Sequence, residues 1–111
     1  MVATKRCIPR VEDMTEEEKK DLFVTSCKIV KVLDDFYEAK STTITIQDGE
    51  FAGQTIKHVH CHIMPRKPGD FENNDEIYTQ LNKHDHKDIK DKRRPLTEMI
   101  KEARIYENLL K

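Results

Sequence analysis

No part of this 111-residue chain comes near the roughly 18–20 consecutive apolar residues of a membrane-spanning helix, and the opening MVATKRCIPR has no hydrophobic signal core. A soluble, cytoplasmic protein is expected. Cys7, Cys27 and Cys61 are odd in number and form no Cys-x-x-Cys pair, which argues against a disulfide framework or a cysteine zinc knuckle and fits a reducing, intracellular setting. Charge of one sign is also missing: 20 Lys+Arg face 21 Asp+Glu, for a formal net charge of -1. That balance supplies no bulk attraction to nucleic acid or to a membrane surface. Apolar residues are scarce at 36%, against about 45–50% in an average globular chain, so the core is expected to be thin. No internal repeat is visible. The length suits one compact domain over residues 1–111.

What is present organises into helix, hairpin and helix. Over residues 13–38, Leu22, Ser26, Ile29, Val30, Leu33, Phe36 and Tyr37 recur at three- and four-residue steps, with charged residues opposite. Asp13 or Thr15 can cap this helix, Thr15 with Glu18 spells a capping box, and acidic Glu16 to Glu18 suit the positive end of its dipole. Residues 42–47, TTITIQ, alternate and are β-branched; DGEFAGQ then reads as a turn, and TIKHVHCHIM alternates again before Pro65. These make a β-hairpin with a long loop. A short helix is expected over Asn74 to Lys83 around Ile77, Tyr78 and Leu81. Residues 83–96 read as a charged, mobile linker, and a last helix follows Pro95, capped by Thr97, with Met99, Ala103, Tyr106 and Leu110 on one face. The fold class expected is α+β, helices packed on an antiparallel sheet.

Three of the five histidines stand at alternate positions in KHVHCHIMPRKPGDF. On a strand, His58, His60 and His62 share one face at roughly 6.6 Å intervals, while Val59, Cys61 and Ile63 face a core. The imidazole face is then expected to line a cleft. Three readings are open. The rings can be partly exposed strand histidines with no task. They can bind zinc, but His58 and His62 lie roughly 13 Å apart while Zn–N bonds are about 2.0–2.1 Å, so one ion does not suit all three. His84 and His86 are additional ligand candidates, placed in the charged segment. Finally, the middle ring can attack phosphorus: imidazole is a competent nucleophile near neutral pH when one nitrogen keeps a lone pair and the other holds its proton in a hydrogen bond, and flanking imidazoles can donate to phosphate oxygens.

HVHCHIM resembles the signature of the histidine triad (HIT) superfamily, and GQTIKHVHCHIMPRKPGDF followed by NDEIY and KHD is similar to its Fhit branch, the diadenosine triphosphate hydrolases. A third histidine argues against the nucleotidyltransferase branch, which carries glutamine there. The resemblance implies an antiparallel HIT-like sheet with a long helix and a C-terminal helix. It implies cleavage of diadenosine triphosphate to AMP and ADP through a nucleotidyl-histidine, with His60 the nucleophile, His62 a phosphate ligand and His58 the residue that organises the nucleophile. Gln47 matches the glutamine that touches the phosphate chain, and Gly53, Gln54, Thr55 and Ile56 match the nucleotide-binding segment. Glycine-led backbone followed by Gln and Thr is apt for an anion. A divalent cation, Mg²⁺ or Mn²⁺, is expected to arrive with the substrate and not on a protein-bound metal site, because Mg²⁺ keeps its waters and prefers phosphate oxygens. Arg66 and Lys67 are candidates to add positive potential, and Tyr78 is read as a packing residue. A homodimer follows from the resemblance.

The chain departs from the Fhit pattern at two places. Met1 aligns inside the family's third strand, so an N-terminally truncated sheet with an exposed edge and lowered stability is expected. Glu12 stands where such relatives have a histidine that buttresses the triad. The alternative reading is a truncated, catalytically weak form that binds nucleotide or a protein partner.

Overall fold

The computed structural model describes residues 1–86 and 96–110. The acidic and basic run at 87–95, and the side chains of His84, His86, Thr97 and Met99, lie outside the described residues. In chain order the elements are β1 (Val2–Ala3), a 3-10 turn (Val11–Asp13), α1 (Glu16–Tyr37), β2 (Ser41–Thr45), a second 3-10 turn (Glu50–Ala52), β3 (His60–Arg66), α2 (Glu76–His86) and α3 (Leu96–Leu110). The class is α+β. The described residues group into two compact units, Met1–Asp70 and Phe71–Lys111.

In the first unit β3 is the central strand of an antiparallel sheet ordered β1-β3-β2. Val2 and Ala3 pair with Cys61 and His60, and Ser41 to Thr45 pair with Arg66 back to His62. The expected alternation holds on the apolar side: Val59, Cys61 and Ile63 are buried and join Ile8, Met14 and Leu22 in the core. Val2, Val11, Ile29, Val30 and Leu33 pack on that cluster. Ile44 lies opposite Ile63 in the ladder but stays 45% exposed, because β2 is an edge strand.

Helix α1 begins where its capping residues place it. The Thr15 hydroxyl accepts from Glu18 N–H at 3.1 Å, and the Glu18 carboxylate accepts from Thr15 N–H at 2.9 Å, which satisfies two donors of the first turn. Thr15 and not Asp13 is therefore the cap, and Asp13 belongs to the preceding 3-10 turn. The helix buries Leu22 and Ser26, whose hydroxyl donates to Leu22 C=O at 2.7 Å. Of the expected apolar stripe, Phe36 is 43% exposed, its ring set edge-to-face on Tyr37. Thr42 donates to the Asp34 carboxylate and so ties β2 to α1.

Two strand limits differ from expectation. The third strand continues through Pro65 to Arg66; β1 covers β3 only at His60 and Cys61, so one flank at Pro65 has no ladder in which a missing N–H is felt. At its other end β3 starts at His60 and not near Thr55. His58 N–H bonds to Ile56 C=O at 2.8 Å, a three-residue turn, and Val59 N–H goes to Ile8 C=O at 2.7 Å. His58 thus precedes the strand that carries His60 and His62.

In the second unit, α2 opens as Asn73 takes Glu76 N–H on its carbonyl and Asp75 N–H on its side chain, both at 3.0 Å. The helix continues through Lys83 to His86, residues expected in the linker. No Gly or Pro intervenes there to stop it. Ile77 and Leu81 are buried, Tyr78 is exposed, and in α3 the Tyr106 hydroxyl donates to Glu102 at 2.6 Å.

Candidate active site

The site is built on the start of β3 and the loop that leads into it. His60 Nδ1 lies 2.7 Å from the carbonyl oxygen of His58. A carbonyl only accepts, so Nδ1 carries the proton, and the lone pair of the neutral ring falls on Nε2. His60 and His62 stand with ring centroids 4.8 Å apart at 82°, an edge-to-face pair. They are 6% and 8% exposed: both rings are buried, and His58 is half-buried. Across the ladder His60 faces Ala3 and His62 faces Thr45. His58 Nε2 is 2.7 Å from Thr4 C=O and 3.0 Å from Thr4 Oγ1.

Gln47 lies two residues past the end of β2, half-buried. Among the described residues its Oε1 is buried with no hydrogen-bond partner, so one polar atom at this place is unsatisfied by the chain. Gly53 has φ of 93°, the left-handed region that glycine adopts without cost, and closes the second 3-10 turn with its N–H on Glu50 C=O at 3.0 Å. Gln54 bonds the protein through both ends of its amide: Oε1 accepts from Gly49 N–H at 2.7 Å and Nε2 donates to Pro9 C=O at 2.9 Å. Its own N–H bonds Gly49 C=O at 3.0 Å. Thr55 and Ile56 are exposed.

The loop is clamped a second time. Arg10 forks onto Asp48 at 3.0 and 3.4 Å, and Asp48 also accepts Val11 N–H at 2.9 Å. The guanidinium hydrogen bond and then the Val11 N–H hold the Asp48 carboxyl below the usual carboxylate range. A side chain at Gly49, whose φ is 101°, would meet the Arg10 guanidinium at 3.3 Å. Residues 48–54 are therefore fixed to residues 9–11. Arg66, a candidate to add positive potential, forks onto Asp70 at 2.7 and 3.0 Å and donates to Thr43 at 3.1 Å, while Lys67 is exposed. Glu12 is exposed on the first 3-10 turn, and Thr4 is what the His58 ring meets. Among the described residues no three His, Cys, Asp or Glu side chains converge on a point that could hold a metal ion.

Thr4, Arg10 and Asp48 carry no local signal for these contacts. Thr4 is 54 positions from His58 and Arg10 is 38 from Asp48; only the register of β1 on β3 and the course of the loop bring them together.

Residues 1–69, a span that holds the triad, the loop and Gln47, match the HIT domain. The chain belongs to the HIT domain family. This HIT chain is 48% identical over 83 residues to the bis(5'-adenosyl)-triphosphatase of Dictyostelium discoideum, covering 75% of this chain and 56% of that protein. It is 44% identical over 117 residues to the bifunctional bis(5'-adenosyl)-triphosphatase/adenylylsulfatase FHIT of Arabidopsis thaliana, covering 98% of this chain and 64% of that one. The crystal structure of the Caenorhabditis elegans NitFhit protein superposes with a TM-score of 0.61 at 41% identity, over 75% of this chain and 20% of that chain. The HIT chain thus spans less than two thirds of the length of these relatives. Among the described residues no helix is long and apolar enough to cross a membrane.

Proposed function

We propose that this HIT chain is a hydrolase of dinucleoside polyphosphates that cleaves diadenosine triphosphate to AMP and ADP through a nucleotidyl-histidine. The observation that carries the reading is the 2.7 Å bond from His60 Nδ1 to His58 C=O, which leaves Nε2 with the lone pair a nucleophile needs. The names of the Dictyostelium and Arabidopsis relatives support the substrate class.

In the first step the Nε2 lone pair of His60 forms an N–P bond to the α-phosphorus as the P–O bond to the departing diphosphate breaks, and ADP leaves. Positive charge then develops on the His60 ring, and the His58 carbonyl, already aimed at Nδ1–H, stabilises it. In the second step water attacks the same phosphorus, the N–P electrons return to Nε2, a proton passes to solvent, and AMP is released. His62, stacked edge-on beside the nucleophile, donates to the phosphate oxygens. Gln47 answers the substrate with the amide whose Oε1 lacks a partner among the described residues. A divalent cation, Mg²⁺ or Mn²⁺, comes as part of the substrate by neutralising its polyphosphate. The working form is a homodimer.

A second reading is a form that binds nucleotide or a partner with little turnover. It is favoured by the Gly53 and Gln54 backbone N–H groups, which are bonded to Glu50 C=O and Gly49 C=O and so unavailable to a phosphate. Product chromatography decides between the two. With diadenosine triphosphate and Mg²⁺, AMP and ADP form in equal amounts with the unchanged protein, and His60→Asn loses turnover by on the order of 10⁴-fold. Nucleotide binding without products supports the second reading.

A further inference from the structure

Thr4 follows β1, and β1 meets β3 at Ala3 opposite His60, so the register delivers Thr4 to the triad. Its hydroxyl donates to Arg6 C=O at 2.8 Å. A hydroxyl has one proton, and with that proton spent on Arg6 it offers His58 only lone pairs. His58 Nε2 consequently has two acceptors, Thr4 C=O at 2.7 Å and Thr4 Oγ1 at 3.0 Å. A bare nitrogen facing two acceptors would be repelled by both, so Nε2 carries the proton and Nδ1 of the neutral ring is bare.

The backbone of the same residue does a second task. His58 N–H is held by Ile56 C=O at 2.8 Å, and its carbonyl receives the Nδ1 proton of His60 at 2.7 Å. Holding the ring at Thr4 and the N–H at Ile56 leaves the carbonyl little freedom to drift from His60.

We propose that Thr4 is a positioning residue: its carbonyl and hydroxyl fix the Nε2–H tautomer and orientation of His58, and through the His58 carbonyl they hold the His60 ring with Nε2 free. The consequence for turnover rests on the reading of His60 as nucleophile; the consequence for the His58 ring does not. The side chain needs a hydroxyl and not bulk, so serine should replace threonine and valine should not.

The test is proton–nitrogen NMR of the imidazole side chains, with steady-state kinetics on diadenosine triphosphate, for the unchanged protein, Thr4→Val and Thr4→Ser. The unchanged protein should show His58 protonated at Nε2. In Thr4→Val one acceptor is lost and Arg6 C=O loses its donor, so the bare Nδ1 signal should move toward tautomer averaging. There kcat should fall ~5- to 10-fold, the size of one neutral hydrogen bond, with KM little changed. Thr4→Ser should match the unchanged protein in both measurements. His58 protonated at Nδ1 in the unchanged protein, or a Thr4→Val protein with unaltered ring signals and kcat, overturns the proposal. Should Thr4→Val not fold, the tautomer in the unchanged protein and in Thr4→Ser carries the test. Absent turnover in the unchanged protein would remove the hydrolase reading and leave the NMR result to decide the role of Thr4.

Discussion

At the scale of single residues, the site depends on which groups the protein has already satisfied. His60 holds its Nδ1 proton on a carbonyl, which leaves the lone pair of the neutral ring on Nε2 for the attack proposed above, and the Gln54 amide bonds backbone through both its oxygen and its nitrogen. Gln54→Ala leaves Gly49 N–H and Pro9 C=O without these partners. At about 1 kcal/mol for each hydrogen bond, the change should lower unfolding free energy by about 2 kcal/mol, read from a urea titration. An unaltered midpoint with a raised KM would instead assign Gln54 to substrate. The alternate histidines were legible in the sequence, because a two-residue period is local. What the sequence could not show was that His58 lies ahead of the strand, since a turn closed by Ile56 C=O and a bond from Val59 to Ile8 set that limit.

At the scale of elements, α1 supplies one wall of the core and a titrating device at its start. Arg6 Nη2 donates to the Glu18 carboxylate at 2.7 Å, Thr15 N–H and hydroxyl add to it, and together they lower the Glu18 pKa from 4.5 to about 2. A carboxyl whose folded pKa lies below its unfolded value stabilises the fold fully above the unfolded value. That stabilisation is lost as pH falls from about 4.5 toward 2. The unchanged protein should therefore show a Tm that falls over this window, and Glu18→Gln should show a flatter profile there with a lower Tm at neutral pH. Equal slopes in the two proteins would contradict the Arg6–Glu18 pairing. The Thr15 to Glu18 box was readable from four residues, and its geometry agrees. Phe36 was not readable as exposed, because helical period says which side chains share a face and not where the opposing surface ends.

At the scale of the molecule, the core of the first unit is a cluster of Ile8, Met14, Leu22, Val59, Cys61 and Ile63 under β3. Ile8 and Val59 are each 1% exposed, and Ile8 also accepts the Val59 N–H, so side chain and backbone lock the same two segments. Ile8→Ala should cost about 2–5 kcal/mol of unfolding free energy, measured by urea denaturation, while the volume-conserving Ile8→Leu should cost under about 1.5 kcal/mol. Equal effects would deny Ile8 a place in tight packing. The α+β class and the helix-hairpin-helix order could be read from periodicity. The division at Asp70 could not, because contacts and not composition define it.

The central claim is that His60 becomes covalently nucleotidylated, and intact-mass spectrometry after rapid alkaline quenching tests it most directly, since a phosphoramidate survives base and not acid. Protein mixed with diadenosine triphosphate and Mg²⁺ should gain the mass of one AMP moiety, acid-labile and located at His60, and His60→Asn should gain none. Product formation with no adduct at the earliest times, or an adduct that persists in His60→Asn, would contradict the account.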